Sequence, residues 1–278
     1  MDFRTPVDTP TPPFQIEPME SILFVGSCFA DNIGQRFAEE HFPVAVNPYG
    51  TMYNPASVLH TIERIIQEHS DGKDRMIPRV VFITLGTNHI YRLKETGEIV
   101  DNCQKRPQRL FQEEILSVEE CADYLKQIVG TLRQQRADVQ IVFTVSPIRY
   151  RKYGFHESQL SKATLLLAIN RLLTDSSLVM PDSSLSYVPA YEIVLDELRD
   201  YRFYKEDMLH PSAQTVEYLW EQLSSHFLSP RAKQFLQEWK PLKEALAHRP
   251  FHPESAEYIA FRKQTEENVK TLEEKYKG

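Results

Sequence analysis

Phe24-Val25-Gly26-Ser27-Cys28-Phe29-Ala30-Asp31-Asn32 decides how the rest of this 278-residue chain is read. A short apolar run, Ser21-Ile22-Leu23-Phe24-Val25, leads into it. A helical pattern leaves it, with Ile33, Phe37 and Ala38 on one face and Asp31, Gln35, Glu39 and Glu40 on the other. A buried strand therefore runs into a tight turn, and the turn opens a helix. Gly26 supplies a position with no side chain in the way of the bend. Ser27 is expected at the strand's end with its hydroxyl exposed, beside the unpaired N–H groups of the helix start. A weak nucleophile beside ready anion donors suits acyl transfer. Ser27 equally suits a plain helix N-cap, and on this stretch alone the cap is the simpler reading.

Outward from the turn, strands and helices alternate. Phe42-Pro43-Val44-Ala45-Val46 reads as a second short strand, ending in the turn Asn47-Pro48-Tyr49-Gly50. Asn54-Pro55 starts a helix whose apolar face is Val58, Ile62, Ile65 and Ile66. The next strand, Arg79 to Gly86, is apolar at nearly every position, as in a parallel sheet covered on both faces. It ends in Gly86-Thr87-Asn88-His89. An irregular insertion from about 90 to 116 follows, with Tyr91-Arg92-Leu93 and Ile99-Val100 as a small hairpin. A long connection of this kind is more often a binding loop than filler. Ser117 and Glu120 form a capping box for a helix to about 136.

Gln140 to Val145 is the fourth strand, ending at Ser146-Pro147-Ile148-Arg149. A Leu-rich helix over about 158–174, a weak strand near Tyr187 and a short helix at Tyr191 to Leu195 come next. A polar loop then carries Lys205-Glu206-Asp207-Met208-Leu209-His210-Pro211-Ser212 into a helix over about 213–227. The alternation implies an α/β fold with a mostly parallel sheet between two helix layers. In such folds sites form beyond the carboxyl ends of the strands. Residues 1–19 read as an extended arm, because their prolines exclude a regular helix. Residues 20–228 form the α/β domain, and 229–278 a C-terminal helical extension. In the extension Tyr258, Phe261, Val269, Leu272 and Tyr276 fall at helical spacing, without site chemistry.

A net charge of −7 with no basic block argues against nucleic acid as a partner. No apolar run is long enough to span a bilayer, and the N-terminus lacks the apolar core of a signal peptide. Cys28, Cys103 and Cys121 match no zinc spacing, and their odd number makes a poor disulfide framework. A reducing cytoplasm is the expected compartment. The other histidines are scattered, so neither a metal nor a cofactor is expected.

Asp207-x-x-His210 precedes the last helix of the α/β domain. A histidine that activates a hydroxyl needs an acid to hold its tautomer, and three residues of separation can fold that acid under the ring. The order is informative: a serine after strand one, a glycine turn after strand two, Gly-x-Asn after strand three and Asp-x-x-His near the end. This set resembles the SGNH (GDSL-like) hydrolase superfamily over residues 20–228. Gly26-Ser27-Cys28-Phe29-Ala30 spells the motif of the GSCFA family, a group similar to SGNH hydrolases. Asn47 to Gly50, Gly86 to Asn88, Ile99-Val100-Asp101-Asn102-Cys103 and Val145 to Arg149 also resemble that family.

The resemblance implies a flavodoxin-like three-layer α/β/α sandwich. It implies Ser27 as nucleophile, His210 as general base and Asp207 as its orienting acid. The N–H of Ser27, the N–H of Gly50 and the Asn88 side-chain amide would form the oxyanion hole. The activity implied is cleavage of an acetyl or other small acyl ester, on a small-molecule or carbohydrate substrate. Acyl transfer to a sugar hydroxyl at the same site is an alternative. So is a non-catalytic carbohydrate- or ligand-binding module that kept the fold. The chain departs from the superfamily where Gly-Asp-Ser becomes Gly26-Ser27-Cys28 and where His89 follows Asn88.

Cys28 is an alternative nucleophile, because a helix N-terminus lowers a thiol's pKa; it also reads as a small buried hydrophobe. His89 either contacts substrate or is a hydrogen-bonded scaffold residue. Arg149 either pairs with an anionic substrate group or sits in a structural ion pair.

Overall fold

The computed structural model describes residues 4–70, 77–101, 103, 106–176 and 184–277. Residues 1–3 of the expected arm and Asn102 of the family-like stretch lie outside them. Five strands, β1 (Ile22–Gly26), β2 (Val44–Val46), β3 (Val80–Leu85), β7 (Gln140–Val145) and β8 (Leu185–Val188), form one parallel sheet. Its order is β2-β1-β3-β7-β8. Counting only these strands along the chain gives 2-1-3-4-5, the flavodoxin-like doubly wound order, whose switch point lies between β1 and β3. The expected three-layer α/β/α sandwich is therefore present.

Alternation within the strands builds the two cores. Leu23, Val25, Val81, Ile83, Ile141 and Phe143 pack under α2 (Pro55–Ser70), α3 (Val118–Gln135) and α4 (Phe155–Thr174). Phe24, Phe82 and Val142 face the other way, toward α1 (Cys28–Glu39) and α6 (Ala213–Phe227). Register sets Phe24 opposite Phe82, with the rings stacked at 4.9 Å. Cutting such a buried Phe to Ala costs about 3–5 kcal/mol.

The insertion is a second, antiparallel sheet of order β5-β4-β6. The expected hairpin exists as β4 (His89–Leu93) and β5 (Ile99–Val100), with Tyr91 opposite Val100. The third strand, β6 (Phe111–Ile115), escapes the sequence reading because Gln112, Glu113 and Glu114 interrupt its apolar pattern. After β8 a short α5 (Ala190–Glu192) continues as a π-turn over Ile193–Leu198. The N-terminal arm docks through Ile16, whose N–H donates to the Phe227 carbonyl at 2.7 Å.

Beyond α6, α7 (Pro230–Ala247) and α8 (Ala256–Tyr276) form a hairpin around Phe235, Trp239, Leu272 and Tyr276. Trp239 joins it to the α/β layer by donating to the Glu39 carbonyl (3.1 Å) and stacking on His41 (4.3 Å). Phe261, expected on the apolar face of α8, is exposed.

Candidate active site

β1 ends against β3 so closely that a Cβ on Gly26, at φ +139°, would stand 2.0 Å from the Thr84 carbonyl oxygen. Only glycine fits there. Ser27 follows with 0% exposure. Its Oγ accepts from the Phe29 N–H (3.3 Å) and lies 3.1 Å from Thr84 Oγ1, and its own N–H donates to the Thr84 carbonyl (2.9 Å). The expectation of an exposed hydroxyl is thus not met. Ser27 caps α1 and ties it to β3, and its N–H is committed to the sheet. The turn is so tight that the residue after the strand points back under it.

Cys28, the first residue of α1, is partly exposed. Burial, and then the Asp31 carboxylate, push its thiol up; its own N–H, Lys162 and Lys205 act in the opposite sense. The expected lowering at the helix start is outweighed. Asp31 is fixed by Asn47, whose Nδ2 donates to it at 2.7 Å while Oδ1 accepts from the Gly26 N–H at 2.8 Å.

Gly50, expected as an oxyanion donor, is exposed, and its N–H donates to the Asn47 carbonyl at 2.8 Å. Closing the turn after β2 uses that N–H. Asn88 does sit at the carboxyl end of β3. It is 3% exposed, with its backbone N–H on Ser161 Oγ (3.0 Å) and Nδ2 on the Leu116 carbonyl (2.7 Å). Among the described residues its Oδ1 is buried without a hydrogen-bond partner.

The Asp-x-x-His pair closes on itself. Asp207 Oδ1 accepts from the N–H groups of Leu209 (2.8 Å) and His210 (2.9 Å), and Oδ2 lies 2.6 Å from His210 Nδ1. The two backbone donors, then the ring, pull the Asp207 carboxyl down to about 2. The loop is pinned by Lys205 N–H on the His210 carbonyl (2.7 Å) and by Arg149. The Arg149 backbone N–H donates to Leu209 O (3.1 Å) and its Nη1 to Met208 O (3.0 Å). Its guanidinium lies over the ring of Phe155, 4.2 Å from the centroid. Arg149 is a brace between the turn after β7 and the loop before α6, a role the sequence did not suggest. His89 is buried in the insertion sheet, 2.9 Å from Glu113 Oε1 and stacked on Tyr153 at 3.8 Å.

Lys162 was missed. It is 2% exposed on α4, with Nζ donating to the carbonyls of Gly86 and Ser146, both at 2.7 Å. Burial pushes its amine down to about 7. Ser158 and Ser161 beside it bond the N–H groups of Tyr150 (3.3 Å) and Asn88 (3.0 Å). One face of α4 thus pins the turns after β3 and β7. The signal was readable: Ser158, Ser161 and Lys162 fall on the stripe that continues through Leu165, Ile169 and Leu172.

An open cleft of about 390 Å³ runs between α1 and the 205–213 loop, lined by Arg36, Lys205, Pro211 and Lys243 among others. It borders the His210 loop, and neither Ser27 nor Asn88 lines it. Among the described residues no group of three His, Cys, Asp or Glu could hold a metal ion, and no helix is long and apolar enough to cross a membrane.

The sequence profile of the GSCFA family matches residues 21–79 and 76–223, and that of the GSCFA domain protein C-terminal domain matches residues 239–278. No curated protein matches the chain. Similar solved structures include a carbohydrate esterase family 3 protein from Talaromyces cellulolyticus, 8% identical, covering 79% of this chain and 99% of that one at a TM-score of 0.42. A family two carbohydrate esterase from Clostridium thermocellum is 12% identical over 76% of this chain and 64% of that one, at 0.46. An acetyl xylan esterase from Butyrivibrio proteoclasticus is 11% identical over 76% and 64%, at 0.42. These likenesses are loose, and it is the strand order that defines the fold.

Proposed function

The chain belongs to the GSCFA family, and from that premise we propose that it is an acyl hydrolase cleaving an acetyl or other small acyl ester at the carboxyl end of its parallel sheet. The observation that carries this reading is the Asp207–His210 pair. A carboxylate held by two backbone N–H groups and 2.6 Å from His210 Nδ1 fixes one tautomer and leaves Nε2 to take a proton. The turn Gly26–Cys28 carries two candidate nucleophiles, Ser27 and Cys28. Asn88 remains the oxyanion donor with a hydrogen on Nδ2 beyond the one given to Leu116.

In the first step His210 removes the nucleophile's proton as it attacks the ester carbonyl. Collapse of the tetrahedral intermediate expels the alcohol, protonated by His210, and leaves an acyl-enzyme. Water then releases the acid. Interception of the acyl-enzyme by a sugar hydroxyl would make the same site an acyltransferase.

A second reading, a non-catalytic ligand-binding module, is favoured by one observation: the N–H groups of Ser27 and Gly50 are both committed within the protein. A panel of p-nitrophenyl acyl esters and acetylated sugars separates the two. The hydrolase reading expects acid release by the wild type and a loss of about 1,000-fold or more in His210→Ala. Equal release by both proteins, or binding of acetylated sugars without turnover, overturns it.

A further inference from the structure

We propose that the attacking atom is Cys28 Sγ and that Ser27 is the structural cap beneath it, an assignment that rests on the acyl-hydrolase reading. Every polar group of Ser27 is occupied. Its N–H is on Thr84, its carbonyl accepts from Ala30 at 2.7 Å, and its hydroxyl is shared between the Phe29 N–H and Thr84 Oγ1. Attack from Oγ would require breaking the cap and opening a position with 0% exposure. Cys28 needs neither, being partly exposed one residue on.

Folding leaves two polar groups near the carboxyl end of the parallel sheet without partners. The Tyr150 hydroxyl and Asn88 Oδ1 are buried and unbonded among the described residues. Buried polar groups are rarely left so, and two beyond the neighbouring strands β3 and β7 point to a ligand that completes them. Tyr53 joins the two strand ends: its carbonyl accepts from the N–H groups of Gly86 (2.8 Å) and Thr87 (2.9 Å), and its ring stands edge-on to Tyr150 at 6.1 Å, while the neighbouring Met52 N–H donates to the carbonyl of Gly26 (2.8 Å) in the turn that carries Cys28. After burial itself, charge on Cys28 raises both phenols. Lys162 lies under the Tyr150 ring, 5.0 Å from its centroid, and its charge reaches the same sulfur.

Burial and Asp31 push the thiol up, away from the thiolate form. The thiol instead needs a base at the moment of attack, as an alcohol does, and Asp207–His210 is built to supply one. The Lys205 charge, on the same pinned loop as His210, also reaches Cys28.

The steps balance without redox change. Sγ bonds to the acyl carbon as its proton passes to His210. The carbon–oxygen bond to the alcohol breaks as His210 returns that proton to the leaving oxygen. Water attacks the thioester, and the carbon–sulfur bond breaks. The water's proton reaches sulfur through His210, restoring the thiol and releasing the acid.

The test combines turnover of p-nitrophenyl acetate with the chemistry of the acyl adduct trapped by acid quench. Neutral hydroxylamine cleaves a thioester and spares a serine ester. The expected result is a hydroxylamine-labile adduct in the wild type and a loss of about 1,000-fold or more in Cys28→Ala. Cys28→Ser, which keeps the residue's size, should carry a resistant adduct. An adduct that is resistant in the wild type, persists in Cys28→Ala and vanishes in Ser27→Ala overturns the assignment and leaves the hydrolase reading standing. Absence of both adduct and turnover in the wild type across the ester panel sinks the hydrolase reading, and this assignment with it.

Discussion

The carboxyl end of the parallel sheet and the α7–α8 hairpin both carry polar side chains, and they treat them in opposite ways. At the sheet's end Lys162 is buried on two carbonyls, and Asn88 Oδ1, Thr144 Oγ1 and the Tyr150 hydroxyl are buried without partners among the described residues. In the hairpin the charges pair, most of them at the surface. Lys275 meets Glu238 at 2.7 Å, Lys277 meets Glu273 at 3.1 Å, and Lys243 reaches across to Glu40 at 2.9 Å. None of the unpartnered buried side-chain atoms found among the described residues lies in the hairpin. A buried group left unpaired costs about 1–3 kcal/mol, so folding alone gives no reason to keep a cluster of them. Pairing at the surface stabilises only a little and is consistent with a packing role. The two regions thus differ in how completely their buried polar groups are satisfied.

Substitutions at the sheet's end should act on turnover, and substitutions in the hairpin on stability at most. Asp207→Asn should have the largest effect, about 10,000-fold in turnover, because the amide can hold the wrong imidazole tautomer. The Asp207 carboxyl, held down at about 2, stays charged through the neutral range. The pH dependence of turnover in the wild type therefore belongs to other groups, and it should move in Asp207→Asn. An unchanged rate and profile would make Asp207-x-x-His210 a loop coincidence.

Asn88→Ala should lower turnover by about 100- to 1,000-fold, as for loss of one oxyanion donor. A rise in KM at constant kcat would show instead that Asn88 binds substrate.

Lys162→Met sharpens the contrast through stability. Folding holds this amine at about 7, against about 10.4 in an unfolded chain. Between those values the unfolded chain binds more protons, so wild-type stability gains a contribution that rises with pH over that window. Urea midpoints at pH 7 and pH 9.5 should show that rise, and it should be smaller in Lys162→Met. Equal slopes would mean that the amine keeps its unfolded-state proton affinity in the folded protein.

The smallest effect is expected from Lys243→Ala. It removes a half-buried pair with Glu40, should cost about 1 kcal/mol or less, and should leave turnover per folded molecule unchanged. A loss of turnover there would tie the hairpin to the site and break the contrast.

The sequence was legible where one pattern decides one element. Arg79 to Gly86 reads as a doubly covered strand and forms β3 at the sheet's centre. Ser117 and Glu120 read as a capping box and make one. Asp207 and His210, three apart, meet as the spacing suggests. The unread features are non-local. β6 has a charged middle and exists because β4 pairs with it. Arg149 braces a loop 59 residues away, and Lys162 reaches a carbonyl 76 residues away.

By itself the sequence determined the layered α/β architecture, because hydrophobic periodicity and turn residues act within a few positions of themselves. It also determined the chemistry that residues 26–28 and 207–210 could offer. Only the tertiary structure decided which of those groups remain free. Gly26 presses β1 against Thr84, and that contact turns the Ser27 hydroxyl and N–H into sheet contacts and leaves Cys28 partly open. The turn after β2 closes on Gly50 and takes its N–H away. A hydrogen bond has two ends, and the local chain names only one of them.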